Sequence, residues 1–108
     1  MFVSCSEDHN TNPQARGSVY VINYNTLQTV KILTNHFFQP HDLAVDDKQG
    51  ILIVASRNVS TAGPPPHHVS TCGGRNGFLR IVDLNTLNFE ENFRTEVSVD
   101  PYSIAIKK

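Results

Sequence analysis

The sequence predicts an all-β chain built from repeated four-stranded antiparallel sheets, and three observations carry that expectation. The first is an internal repeat: Gly17-Ser18-Val19-Tyr20-Val21-Ile22-Asn23-Tyr24-Asn25-Thr26-Leu27 returns as Gly77-Phe78-Leu79-Arg80-Ile81-Val82-Asp83-Leu84-Asn85-Thr86-Leu87. A period above roughly forty residues, filled with short apolar strands, marks a radially repeated sheet. The second is alternation, since Leu79 and Ile81 point one way while Phe78, Arg80 and Val82 point the other. The third is that no stretch carries convincing helical periodicity.

The repeat extends on both sides of this core. Met1-Phe2-Val3-Ser4 aligns with Leu52-Ile53-Val54-Ala55, and Pro40-His41-Asp42-Leu43-Ala44-Val45 aligns with Pro101-Tyr102-Ser103-Ile104-Ala105-Ile106. Four strands, a to d from the axis outward, therefore make one blade of a propeller-like array. The chain opens on a b strand at Met1 and runs through c and d to residue 38 as an incomplete first blade (1–38). The complete blade (39–99) takes His41 to Asp46 as a, and Gly50 to Ser56 as b, whose Ile51-Leu52-Ile53-Val54-Ala55 is apolar throughout, as in a strand packed on both faces. Its c strand is Gly77 to Leu84, and its d strand lies within Leu87 to Val97. A lone a strand of a third blade, Ile104 to Lys108, falls in residues 100–108. Repeat units bury their apolar faces only against neighbours, so this arrangement implies a piece of a longer chain or a subunit that assembles through its open edges.

Taken together, Gly-x-Val-x-Val-Ile-Asn-x-x-Thr from Gly17 and the downstream Gln39-Pro40-His41-Asp42-Leu43-Ala44-Val45-Asp46 resemble YVTN-type bacterial β-propeller repeats. The resemblance covers nearly the whole chain and rests on structural repeat positions. It implies a non-catalytic binding scaffold at the periplasm or cell surface, with a protein or carbohydrate ligand on the long-loop face. Related propellers include haem- and copper-dependent reductases, so a metal- or haem-dependent oxidoreductase is the competing expectation. The b-to-c loops, Ser6 to Arg16 and Arg57 to Asn76, are far longer than the repeat requires.

Composition narrows the partners. With 39% apolar residues, nine Lys and Arg against ten Asp and Glu, and a net charge of −1, the chain has the balance of a folded domain. No basic stripe suits nucleic acid, no apolar run approaches the roughly twenty residues of a membrane span, and no signal peptide is visible at Met1.

Strand order sorts the chemistry by end. The short a-to-b and c-to-d turns collect Asp46-Asp47-Lys48-Gln49-Gly50 and the two Asn-Thr-Leu turns. The opposite end collects His9, His36, His41, His67, His68, Cys72 and Cys5. Long loops gather polar residues without any function, which is the plain reading of this clustering. The chemical reading is a metal site of His41, His67, His68 and Cys72, an imidazole and thiolate set suited to zinc or copper. Pro64-Pro65-Pro66 would stiffen the arm that carries two of these histidines. Cys5 and Cys72 could alternatively form a disulfide between adjacent blades, worth roughly 4 kcal/mol if their Cα atoms approach within about 7 Å. Such a bond needs an oxidising compartment, and two free cysteines are the alternative.

Other motifs carry less. Cys72-Gly73-Gly74-Arg75-Asn76-Gly77 opens a strand rather than a helix, so it reads as a tight return and not a phosphate loop. Asn58-Val59-Ser60 matches a glycosylation tripeptide by chance. No serine sits in a Gly-x-Ser-x-Gly elbow. Glu90 and Glu91 are expected on an outer strand, where neighbours face opposite ways and cannot work as an acid and base pair.

Overall fold

The computed structural model describes residues 1–6, 8, 17–36, 38–57, 77–98 and 101–107, and among them every regular element is a strand. In chain order these are β1 (Phe2–Cys5), β2 (Ser18–Ile22), β3 (Thr29–Leu33), β4 (Phe38–Asp46), β5 (Ile51–Arg57), β6 (Phe78–Asp83) and β7 (Thr95–Glu96). They form two open antiparallel sheets, β1-β2-β3 and β4-β5-β6-β7, with each strand beside its neighbour in sequence.

The repeat is reproduced bond for bond in the turns. Asn23 Oδ1 accepts from the Asn25 and Thr26 amides at 2.9 and 3.2 Å, and Asp83 Oδ1 accepts from those of Asn85 and Thr86 at 2.7 and 2.9 Å. Each turn closes with a leucine amide on the carbonyl of that Asn or Asp, at 2.8 Å in both. A short side-chain acceptor followed by this amide pair is why Asn or Asp opens the turn. Asp46 does the same for the amides of Lys48 and Gln49, at 3.0 and 3.1 Å.

All three turns end in the left-handed region, at Leu27 (φ 59°), Gly50 (φ 69°) and Leu87 (φ 55°). A leucine there carries a steric cost of roughly 1–2 kcal/mol. Leu87 offsets that cost by packing against the core, whereas Leu27 is 72% exposed. Leu27→Gly should therefore raise the thermal midpoint, by an amount equivalent to about 1 kcal/mol, while Leu87→Gly should not. A calorimetric scan in which Leu27→Gly melts no higher than the parent would refute this.

The core lies between the sheets. Val19, Val21 and Leu33 of the first meet Leu52, Val54 and Val82 of the second, with Phe2, Leu43, Val45 and Phe89 packed around them. Each fully buried Val or Leu side chain stabilises by roughly 1.5–3 kcal/mol relative to exposure, so this layer dominates the packing energy.

Two glycines set how closely the chain can be stacked. A Cβ on Gly17 would stand 2.5 Å from Pro40 Cδ and 3.2 Å from the Cys5 carbonyl. One on Gly77 would stand 2.6 Å from Pro101 Cδ and 2.5 Å from the Ser56 carbonyl. Gly17, Cys5 and Pro40 are the repeat counterparts of Gly77, Ser56 and Pro101, so one contact recurs at successive steps.

Three details differ from the sequence reading. β4 starts at Phe38 rather than His41, because an irregularity between Phe38 and Asp42, with Gln39 at φ 42°, lets the strand run past Pro40. The outer strand shrinks to Thr95–Glu96 plus a Val82–Phe89 bridge, because the Phe93 amide turns back onto the Glu90 carbonyl. Glu91 consequently lies in a turn rather than a strand. Residues 101–107 form no strand. They are tied instead to β4 through Asp42, whose Oδ2 accepts from the Ile104 amide (2.8 Å) and the Ser103 hydroxyl (3.0 Å).

Candidate functional site

Of the four candidate metal ligands only His41 lies within the described residues; His67, His68 and Cys72 fall outside them, as do His9 and the 58–76 loop. Cys5 is half-buried at the end of β1, and its disulfide candidate Cys72 is outside as well. Among the described residues no three His, Cys, Asp or Glu side chains cluster as a metal site.

His41 sits in β4, an edge strand of the second sheet, its ring 4.9 Å from that of Tyr102 at 36°. Tyr102 is the repeat counterpart of His41, so equivalent positions of successive units touch. The next pair does likewise: Asp42 contacts Ser103, its own counterpart. The Ile104 amide, then the Leu43 amide and the Ser103 hydroxyl, hold the Asp42 carboxyl below its ordinary value against an opposing push from burial. A lowered carboxylate pKa stabilises the fold above the unfolded value, near 3.8, and that contribution is lost as pH falls through the lower folded value. The urea midpoint should thus stay level above pH about 5 and fall below about 4. Asp42→Asn should flatten the acid limb, and an unchanged slope would count against this role.

The roots of both long loops are anchored. Asp8 is 9% exposed, and its Oδ2 accepts from the Ser18 hydroxyl (2.5 Å) and the Tyr20 phenol (3.0 Å). Arg57, 2% exposed at the root of the 58–76 loop, donates through Nη1 to Gln39 Oε1 at 2.9 Å, and Gln39 is itself 1% exposed. A guanidinium held this deeply needs its hydrogen bonds, so it fixes the strand exit. Neither anchor is legible in the sequence, because each partner is identified only once the strands pair, Gln39 lying in β4 beside Arg57 of β5.

His36 lies in the connection from β3 to β4. Its ring stacks on Phe89 at 4.1 Å, Nε2 lies 2.9 and 3.0 Å from the Glu91 carboxylate oxygens, and Nδ1 lies 3.3 Å from the Thr34 carbonyl. The pair bounds an open groove of about 370 Å³ between β3 and the β6–β7 connection, also lined by Ile32, Leu33 and Asn88. Lys31 crosses it, donating to the Leu87 carbonyl (2.6 Å) and Asn88 Oδ1 (3.0 Å). Since the Glu91 side chain is 71% exposed, its contact with His36 is worth less than about 1 kcal/mol.

A second hollow, about 440 Å³, opens at the short-turn end between Asp46–Gln49 and Ile106–Lys107. No described helix is long and apolar enough to cross a membrane. No family model, curated protein or solved structure matches the chain.

Proposed function

We propose that the chain is part of a YVTN-like β-propeller that acts as a non-catalytic binding scaffold of the cell envelope, recognising a protein or carbohydrate through its long-loop face. The observation that supports this most is the recurrence of one contact, Gly17 of the loop before β2 on Pro40 of the second sheet and Gly77 before β6 on Pro101 of the 101–107 segment. Repetition of a joint builds a rigid stack, and a stack presents its loops without requiring chemistry of them. The anchoring of both long loops at Asp8 and Arg57 agrees with a presenting role.

The test measures metal and haem on the purified chain, by native mass spectrometry and absorption spectra, beside the His41→Ala, His67→Ala and His68→Ala triple variant. A scaffold gives the same metal-free mass for both. A stoichiometric transition metal that the variant loses would replace this reading with the oxidoreductase one.

A further inference from the structure

The polar side chains that line the groove between β3 and the β6–β7 connection are held in place without being used up. Lys31 Nζ donates to the Leu87 carbonyl and to Asn88 Oδ1 on the opposite wall. An ammonium has three hydrogens to give, so among the described residues one is left over. Asn88 is an exposed residue that accepts this bond through Oδ1 and has the two hydrogens of Nδ2 to offer. Glu91 meets His36 Nε2, which has at most one hydrogen, while a carboxylate has about four acceptor positions. The rest of the lining is apolar: Leu33 is buried, Leu87 and Phe89 pack against the core, and the Phe89 ring is stacked on His36.

These groups select a ligand by its charge. A cation drawn to Glu91 would also meet Lys31, and an anion drawn to Lys31 would also meet Glu91. A wholly apolar ligand would strip water from both charges and from Asn88 and return no hydrogen bond. A transition metal would find His36 and Glu91, but no third His, Cys, Asp or Glu joins them among the described residues. A neutral polyol avoids all of these penalties. Its hydroxyls donate to the carboxylate and accept from the ammonium or the carboxamide, and the C–H face of its ring covers apolar surface. Because Lys31 and Glu91 are already fixed by bonds to the walls, they lose little freedom when such a ligand binds.

We propose that this groove binds a short neutral saccharide, with Glu91 accepting from its ring hydroxyls and Lys31 and Asn88 donating to them. Its volume, about 370 Å³, lies at the lower end of the range for small-molecule sites, roughly 300–1,000 Å³. The site is separate from the long-loop face, and the inference does not rest on what that face recognises.

The test titrates the isotope-labelled whole chain with methyl glycosides of glucose, galactose, mannose and N-acetylglucosamine, and with cellobiose and lactose, and follows the amide resonances. At least one of these should shift Lys31, Asn88 and Glu91 saturably, with a midpoint of roughly 1–10 mM, the weak range of a shallow open site. Glu91→Ala and Asn88→Ala, both at exposed residues, should each weaken binding by at least roughly tenfold with the circular dichroism unchanged. Glucosamine and glucuronate should bind less tightly than the best neutral sugar. Absence of saturable shifts with all six neutral sugars, shifts confined to residues outside the groove, undiminished binding by a folded Glu91→Ala, or tighter binding of either charged sugar would each overturn the proposal. None of these outcomes changes the metal content that tests the scaffold reading.

Discussion

Gly77→Ala should lower stability by about 3 kcal/mol, the upper part of the range for overpacking a close contact. The added methyl would lie 2.5 Å from the Ser56 carbonyl, a backbone atom of β5 that cannot swing aside, and within 3 Å of two Pro101 ring carbons. Domains have roughly 5–15 kcal/mol in total, so a loss of this size should be plain in a urea titration. Gly17→Ala is the milder counterpart, because its contact under 3 Å is with the Pro40 ring alone. Pro40→Ala should restore much of what Gly17→Ala loses, whereas Pro101→Ala should restore little of what Gly77→Ala loses. Gly50→Ala provides the contrast: its nearest neighbour would be 3.9 Å away, so only its φ of 69° opposes the change, at about 1 kcal/mol. Equal midpoints for Gly77→Ala and Gly50→Ala would refute the close-contact argument.

Leu52→Ala is expected to cost about 3 kcal/mol, from lost transfer energy plus a cavity between two sheets that cannot collapse onto it. Leu52 is fully buried, opposite Val45 and Val82. The same truncation at Leu27, 72% exposed, should change stability by less than about 0.5 kcal/mol. Chemical denaturation of both variants decides it, and comparable losses would mean that the layer between the sheets is not the main core.

The strands of the repeat were legible because their signal is local. Val19-Tyr20-Val21 and Leu79-Arg80-Ile81 alternate, and Asn23 and Asp83 begin turns whose bonds reach only two or three residues ahead. β5 was legible from its continuous apolar run. The outer strand was not, since Phe89 and Glu96 suit a strand but the turn between them is set by a single bond from Phe93 to Glu90. The position of His36 was even less accessible, because its partners Phe89 and Glu91 lie more than fifty residues away and come near only when the sheets stack. The His41–Tyr102 contact lies between these cases: the alignment paired the two residues as counterparts, and the stacking of successive units makes them neighbours.

The Gly–Pro joint uses atoms from one unit and the start of the next, and from nothing further away. A unit of this kind, duplicated in tandem, would carry the same contact with it, because the glycine and the proline both recur in the repeat. Lengthening by whole units would preserve that contact and lengthening by a part would break it.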